Sequence, residues 1–157
     1  MDKKIVGFVL KDEEFAFDIM RVKEIIKIKE ITEVPTAPDF IDGVINLRGK
    51  IIPIIDLRKR FGLESKDTGA EQRIIILEFD KGQYTGVVVD QVSKVISIQP
   101  EQVLPAPASV KDAGAGYIES IIKIEERVIV LLDIGKIFSA DEQFNLKEVA
   151  QLHGGLS

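Results

Sequence analysis

The chain contains a long internal repeat, and this repeat constrains its fold more than any other feature. Residues 40–57 read FIDGVINLRGKIIPIIDL, and residues 117–134 read YIESIIKIEERVIVLLDI. Both copies contain the same features in the same order: an aromatic residue, Ile, an acidic residue, apolar positions, a polar connection, an apolar run and a final Asp. A fixed period in a chain of 157 residues predicts two structurally similar halves.

Short β-rich runs separated by turn signals fill both halves. Residues 5–10 and 15–19 flank a charged interruption and predict a β-hairpin, and residues 73–79 and 84–98 repeat the arrangement in the second half. The mixed pattern at residues 22–28 fits either a strand with a bulge or a short helix, and we favour the strand. With about five short strands in each half, the sequence predicts an all-β fold of two small closed barrels with short helices.

Several signals predict local structure around these strands. Pro53 removes a ladder donor from the apolar run at residues 49–56, which suggests an edge strand or a bulge. Asp56 and Gly62 predict the N-cap and the C′ position of a short helix. Ser139 begins a Ser-x-x-Glu capping box, which predicts an amphipathic C-terminal helix. The apolar face of that helix is predicted to hold Phe144, Val149 and Leu152.

We expect residues 1–157 to form one domain of two interlocked subdomains. The first spans approximately residues 12–70 and the second residues 71–138, with strand exchange near the N-terminus as an option, and a helix and tail follow at residues 139–157. The polar, turn-rich segment at residues 63–71 is the predicted connection between the halves.

Composition argues against several classes of function. A net charge of −5 disfavours binding to the phosphate backbone of nucleic acid. The chain has no cysteine, and its single histidine, His153, lies in the C-terminal tail, so we expect no metal site and no cofactor. No apolar run approaches the roughly 18 to 20 residues that span a bilayer, so we expect a cytoplasmic protein without direct membrane insertion.

Two elements are candidates for function. Asp56 and Asp133 occupy the same position in the two repeat copies, which fits either two helix N-caps or the carboxylate dyad of an acid-dependent hydrolase. Their neighbours lack the Asp-Thr/Ser-Gly turn of such a dyad, which favours the caps. Residues 46–49, Asn-Leu-Arg-Gly, fit a simple hairpin turn. Because residues 123–126 of the second copy read Lys-Ile-Glu-Glu, we interpret the first turn as a specialisation of one half.

The combined motifs resemble the CheW family. They are GVINLRG at residues 43–49 and PIIDL at residues 53–57, preceded by VKEI at residues 22–25 and followed by GVVVDQV at residues 86–92. The resemblance covers nearly the whole chain. It implies two five-stranded SH3-like barrels related by a pseudo-twofold axis and a noncatalytic adaptor function in bacterial chemotaxis. The same fold occurs in the regulatory domain of the histidine kinase CheA, so a detached CheA-type regulatory domain remains an alternative.

The resemblance also implies partners and site residues. One surface is expected to bind the cytoplasmic hairpin tip of a chemoreceptor, with a receptor helix in an apolar seam between the barrels. Other faces are expected to bind the CheA regulatory domain, and higher-order signalling arrays at membrane-bound receptors are an option. The implied receptor-binding residues are Val22, Glu24, Gly43, Asn46, Leu47, Arg48, Val89 and Val92. The implied kinase-binding residues are Val34 and Ile51.

Overall fold

The structure is a computed structural model that describes residues 3–35, 37–63, 69–107 and 117–151. Within these ranges the strands are β1 (Lys3–Leu10), β2 (Glu13–Asp18), β3 (Val22–Lys27), β4 (Gly43–Leu47), β5 (Lys50–Asp56), β6 (Arg73–Asp80), β7 (Gln83–Val89), β8 (Gln91–Ile98), β9 (Val103–Pro105), β10 (Ile118–Ile124) and β11 (Arg127–Leu132). The α-helices of the described residues are α1 (Leu57–Arg60), α2 (Ile134–Ile137) and α3 (Ala140–Ala150). Short 3₁₀ turns lie at Ile19–Arg21, Gly69–Glu71 and Pro100–Gln102.

The strands form two sheets that are built in the same way. Their orders are β3-β6-β7-β5-β4 and β8-β1-β2-β11-β10-β9. In each sheet one antiparallel hairpin, β6–β7 or β1–β2, sits between strands of the other half of the chain. The junction is parallel in both cases, between β7 and β5 and between β2 and β11. The two halves therefore exchange hairpins, and β9 extends one sheet to six strands.

The predicted all-β class, with paired curled sheets, short helices and a C-terminal helix, is confirmed. The sheets do not follow the predicted division at residues 12–70 and 71–138, because β2 joins the sheet of the C-terminal half and β6–β7 join the other. The repeat identifies equivalent segments in the two halves, but a hairpin could pair with the equivalent strand edge of either half. The pattern alone cannot say which edge is used.

Side chains alternate between the two faces of each strand, and this divides the core into three clusters. On β6, Ile74 and Ile76 face a cluster inside the five-stranded sheet, while Ile75 and Leu77 face a larger cluster shared by both sheets. A third cluster, which includes Ile129, fills the six-stranded sheet. Strands buried on both faces read as continuous apolar runs. The shared cluster makes the two sheets one packed body.

Most local predictions are confirmed. Strand β3 is paired to β6 with a register shift between Val22 and Glu24, which is the bulge that the mixed pattern allowed. Asp56 caps α1 by accepting a hydrogen bond from the Arg58 amide at 2.9 Å, and Gly62 has a φ of 71° after the helix ends. The predicted connection at residues 63–71 lies partly outside the described residues.

The prediction of an edge position for Pro53 is wrong, because β5 lies inside its sheet between β7 and β4. Pro53 is tolerated there because the paired positions with β7 begin only at Ile54. Pro53 therefore precedes the residues of β5 that pair with β7, where a backbone N–H would be needed. Its carbonyl accepts a hydrogen bond from the Thr85 hydroxyl at 2.9 Å.

Helix α3 begins as predicted, with reciprocal hydrogen bonds between Ser139 and Glu142. Its buried residues are Leu146 and Val149, whereas Phe144 is exposed. The prediction that Phe144 belongs to the buried face is wrong, because it lies on the opposite side of the helix from Leu146 at 100° per residue. The predicted Leu152 lies outside the described residues.

An ion pair fastens α3 to α1. The Arg60 guanidinium donates to the two carboxylate oxygens of Glu142 at 2.6 and 2.5 Å, and to the Ile137 carbonyl at 2.9 Å. These hydrogen bonds from Arg60 are the main cause that lowers the pKa of Glu142 below its ordinary value of 4.5. The C-terminal helix is thus held by both charge and apolar burial.

Candidate functional site: a charged turn beside an apolar depression

The turn between β4 and β5 has an unusual backbone. Leu47 pairs with Lys50, so Arg48 and Gly49 form a two-residue loop, with φ values of 51° and 82°. Positive φ at both positions defines a type I′ turn, which favours Asn or Gly at the first position. Arginine in the left-handed region costs roughly 1 to 2 kcal/mol. Lys11 and Asp12 in the β1–β2 turn and Glu125 in the β10–β11 turn also have positive φ, so the backbone alone does not assign a function to Arg48.

Neighbouring groups hold this turn in place. The Asn46 side-chain oxygen accepts a hydrogen bond from the Gly49 amide at 3.0 Å. The Lys29 ammonium donates to the Asn46 carbonyl. Arg48 forms an ion pair with Glu24, which lies on β3 at the opposite edge of the same sheet. The Arg48 side chain is still 69% exposed, so this pair contributes only about 0 to 1 kcal/mol to stability and leaves the guanidinium accessible.

A depression of about 120 Å³ lies beside the turn. Its lining consists of Lys23, Glu24, Leu47, Arg48, Lys50, Ile52, Ile76 and Tyr84. Ile52 and Ile76 belong to the cluster inside the five-stranded sheet, so the floor is apolar while the rim is charged. An apolar centre with a polar rim is typical of protein-binding surfaces.

The structure brings four of the implied receptor-binding residues together. Glu24, Asn46, Leu47 and Arg48 form or adjoin the turn and its depression. Gly43 lies further along β4, where a Cβ atom would stand 2.4 Å from the Thr32 carbonyl oxygen. This glycine therefore permits the close approach of the chain beside β4.

The other three implied receptor-binding residues lie apart from the turn in the sheets. Val89 has no exposed surface, so it can influence a partner only through the packing of its neighbours. Val22 and Val92 are half-buried against the shared core at the starts of β3 and β8, which belong to different sheets. The implied kinase-binding residues, Val34 and Ile51, are also half-buried against the shared core.

Sequence reasoning missed a buried ion triad. Arg58 donates to both carboxylate oxygens of Asp56 at 3.1 and 3.0 Å and to Asp90 at 2.9 Å. Asp90 also accepts a hydrogen bond from the Lys11 amide at 2.8 Å, so the triad joins α1 to the β1–β2 turn of the other sheet. The Asp56 hydrogen bond is the main cause that raises the pKa of Arg58. A charged residue inside the apolar run VVVDQV was the available signal.

The paired aspartates act as helix caps. Asp56 caps α1, and Asp133 caps α2 by accepting a hydrogen bond from the Gly135 amide at 2.9 Å. Because the Asp56 carboxylate is also bound on both oxygens by Arg58, it is committed to structure. Within the described ranges, no group of three His, Cys, Asp or Glu side chains could hold a metal ion.

The fold and the surface define a class: an all-β protein of two hairpin-exchanging sheets, with a charged turn over an apolar depression. No helix in the described part of the chain is long and apolar enough to cross a membrane. Residues 4–142 match the CheW-like domain family. The chain belongs to this CheW-like family.

Individual relatives agree with this assignment. The chain is 38% identical over 146 residues to "Chemotaxis protein CheW" of Klebsiella aerogenes, covering 93% of this chain and 87% of the relative. It is 35% identical over 153 residues to the protein of the same name from Treponema pallidum, covering 95% and 88%. The crystal structure of the scaffolding protein TtCheW from Thermoanaerobacter tengcongensis superposes with a TM-score of 0.80 at 41% identity, covering 90% of this chain and 91% of that one.

Proposed function

We propose that this protein is a noncatalytic adaptor that couples the cytoplasmic tips of chemoreceptors to the histidine kinase CheA. The observation that carries the proposal is Arg48, an exposed arginine held in a left-handed turn beside an apolar depression. An accessible charged side chain at the rim of an apolar depression is typical of a protein-binding surface, and the equivalent Glu125 is outside the lining of this depression. Membership of the CheW-like family supports the same conclusion.

The receptor face centres on the turn. An apolar side chain of a receptor helix enters the depression over Ile52 and Ile76, while Arg48 and Glu24 fix the register of that helix through charge. Gly43 and Val89 support the face from within, since neither offers a side-chain surface for contact. Val22 and Val92 extend the receptor contact along the apolar seam between the two sheets.

The regulatory domain of CheA binds a separate face, to which Val34 and Ile51 contribute. Because a single such contact is modest, linked receptor and kinase sites strengthen each other through effective concentration. Repeated linkage produces a signalling array. The adaptor acts in the cytoplasm and reaches membrane-bound receptors through protein contacts alone.

The receptor face is tested with Arg48→Ala. The variant should bind a receptor hairpin fragment about five- to 150-fold more weakly, equivalent to roughly 1 to 3 kcal/mol, without a lower melting temperature. The matched control is Glu125→Ala, because Glu125 holds the equivalent position in the β10–β11 turn, with a φ of 55°. Unchanged affinity of Arg48→Ala in a calorimetric titration would refute the assignment of Arg48.

The coupling itself is tested by reconstitution. Receptor fragment and kinase are combined with and without the protein, and autophosphorylation of the kinase is measured. A kinase activity that depends on the receptor only when the protein is present supports the adaptor function. Pull-downs in which the protein binds the kinase but never the receptor would instead favour a detached regulatory domain.

A further inference from the structure

The two sheets treat an equivalent basic residue differently. In the six-stranded sheet, Arg127 donates to both carboxylate oxygens of Glu14, at 3.2 and 2.5 Å. This pair joins the first residue of β11 to β2, its parallel neighbour. The hydrogen bonds raise the pKa of Arg127 and lower that of Glu14, as expected for a formed ion pair.

The parallel registers identify the matching positions in the five-stranded sheet. Leu131 is paired with Ala16 in one sheet, and Ile54 is paired with Gly86 in the other. Arg127 lies four residues before Leu131, and Lys50 lies four residues before Ile54. Glu14 lies two residues before Ala16, and Tyr84 lies two residues before Gly86. Lys50 therefore corresponds to Arg127, and Tyr84 corresponds to Glu14. The five-stranded sheet therefore has a basic residue at this place but a phenol where the carboxylate should be.

Lys50 and Tyr84 therefore lie at a site without the carboxylate that Glu14 supplies in the other sheet. Both line the depression beside Arg48, and in the described part of the chain neither the Lys50 ammonium nor the Tyr84 hydroxyl has a hydrogen-bond or ion-pair partner. Lys23 lies on the same rim. Among the described residues, Glu24 is the only acidic one that lines the depression, and it is already paired with Arg48. The rim is therefore positive on a protein whose net charge is −5.

We propose that Lys50 and Tyr84 form a carboxylate-binding subsite that determines which receptor helix is accepted. An Asp or Glu of the helix takes the place that Glu14 occupies in the other sheet, accepting hydrogen bonds from the Lys50 ammonium and the Tyr84 hydroxyl. An aliphatic side chain one helical turn away covers Ile52 on the floor. This inference rests on the proposed receptor-binding function and adds the chemistry of the ligand.

A second depression adjoins the first. It has a volume of about 280 Å³ and shares Lys50, Ile52 and Tyr84 with the first. It continues past the β6–β7 turn to Ala150 near the end of α3. The two depressions adjoin at these shared residues, which is where the proposed carboxylate subsite lies.

The test uses a recombinant chemoreceptor hairpin fragment titrated into the full chain. Lys50→Glu should weaken binding about three- to tenfold and reduce its dependence on salt, because a rim charge that attracts the partner is reversed. Tyr84→Glu should weaken binding similarly, because it supplies Lys50 with the internal carboxylate present in the other sheet. Tyr84→Glu also removes apolar packing against the cluster inside the five-stranded sheet, so its melting temperature should fall modestly. Lys50→Arg should retain wild-type affinity.

Two controls isolate the subsite. Lys81→Glu makes the same charge change on the nearby β6–β7 turn, outside the lining of both depressions, and should leave affinity within about twofold. Arg127→Ala breaks the equivalent ion pair in the other sheet and should not affect receptor binding. An equal loss in Lys81→Glu and Lys50→Glu would overturn the subsite, because net charge alone would then explain the effect.

The result for Arg48→Ala separates this inference from the proposed function. If Arg48→Ala weakens binding while Lys50→Glu and Tyr84→Glu do not, the subsite is overturned and the receptor-binding function stands. If none of the three variants changes the affinity, the proposed receptor face itself is refuted. Should Tyr84→Glu fail to fold, as judged by circular dichroism, the exposed Lys50 variants still decide the outcome.

Discussion

The buried triad allows a quantitative prediction about how the two sheets are held together. Arg58 donates side-chain hydrogen bonds of 2.9 to 3.1 Å to Asp56 and Asp90, and all three residues are buried. Replacing Arg58 with Met preserves much of the side-chain volume but leaves two carboxylates in the interior without their cation. Removing one partner of a buried charge network costs about 3 to 5 kcal/mol. That is a large part of the roughly 5 to 15 kcal/mol that stabilises a typical domain.

The assay is equilibrium unfolding in urea, with the free energy extrapolated to water. Arg58→Met should lose about 3 to 5 kcal/mol, while Arg127→Met, which breaks the exposed pair with Glu14, should lose no more than about 1 kcal/mol. The triple variant Asp56→Asn, Arg58→Met, Asp90→Asn should recover most of the loss. Asparagine retains the oxygen that caps α1 and the oxygen that accepts from the Lys11 amide, but it carries no charge.

Two results would refute this reasoning. A loss below about 1 kcal/mol in Arg58→Met would mean that the cation does not compensate the buried carboxylates. A triple variant as unstable as the single one would mean that the loss comes from packing rather than from uncompensated charge. Either result would remove the triad as the electrostatic link between α1 and the β1–β2 turn.

Two further predictions concern the turn and the C-terminal helix. Arg48→Gly should raise the free energy of unfolding by up to about 1 kcal/mol, because glycine accepts the positive φ without strain, while receptor affinity falls. Glu125→Gly should stabilise the protein similarly in urea unfolding without affecting the receptor titration. A destabilised Arg48→Gly would contradict the strain argument. Glu142→Gln should be less stable than the wild type at neutral pH, and thermal unfolding as a function of pH should show this difference shrinking as the pH falls below about 4.5. The pKa of Glu142 is lowered in the folded state. The carboxylate therefore contributes stability at a pH above its pKa in the unfolded chain, and this contribution is lost as the pH falls through its pKa in the folded protein. A stability difference that persists in acid would contradict the role of the Arg60 pair.

Local features of the fold were predictable because each rests on neighbouring residues. The hairpins follow from apolar runs around charged turns, the bulge at Val22–Glu24 from a mixed pattern, and the caps at Asp56 and Ser139 from residue type and spacing. The exchange of hairpins was not predictable, because β1–β2 and β6–β7 are equivalent and either sheet could accept either one. The choice depends on contacts between residues that are distant in sequence.

The candidate site shows the same division. The Asn-Leu-Arg-Gly turn was visible as a departure from the repeat. The structure explains its glycine by the positive φ of Gly49, whereas Arg48 and its counterpart Glu125 both have positive φ. The triad depends on Arg58 and Asp90, whose separation in the chain gives no sign that they meet. The unmatched pair of Lys50 and Tyr84 is similarly invisible, because its equivalent, Arg127 with Glu14, joins opposite ends of the sequence.

Duplication allows the two sheets to differ at their rims without loss of the fold. Each sheet has its own cluster, built from residues of both halves, and the two sheets share the third cluster, so side chains at the sheet rims are not needed for the core. At these rims the halves differ: the six-stranded sheet satisfies Arg127 internally, whereas the five-stranded sheet presents Arg48 and Lys50 to the outside. Arg58 also belongs to one half only, because Gly135 holds the equivalent position after Asp133. The first half of the chain therefore supplies both Arg58, which is paired with Asp90 of the other half, and the exposed charges of Arg48 and Lys50 that the proposed function uses.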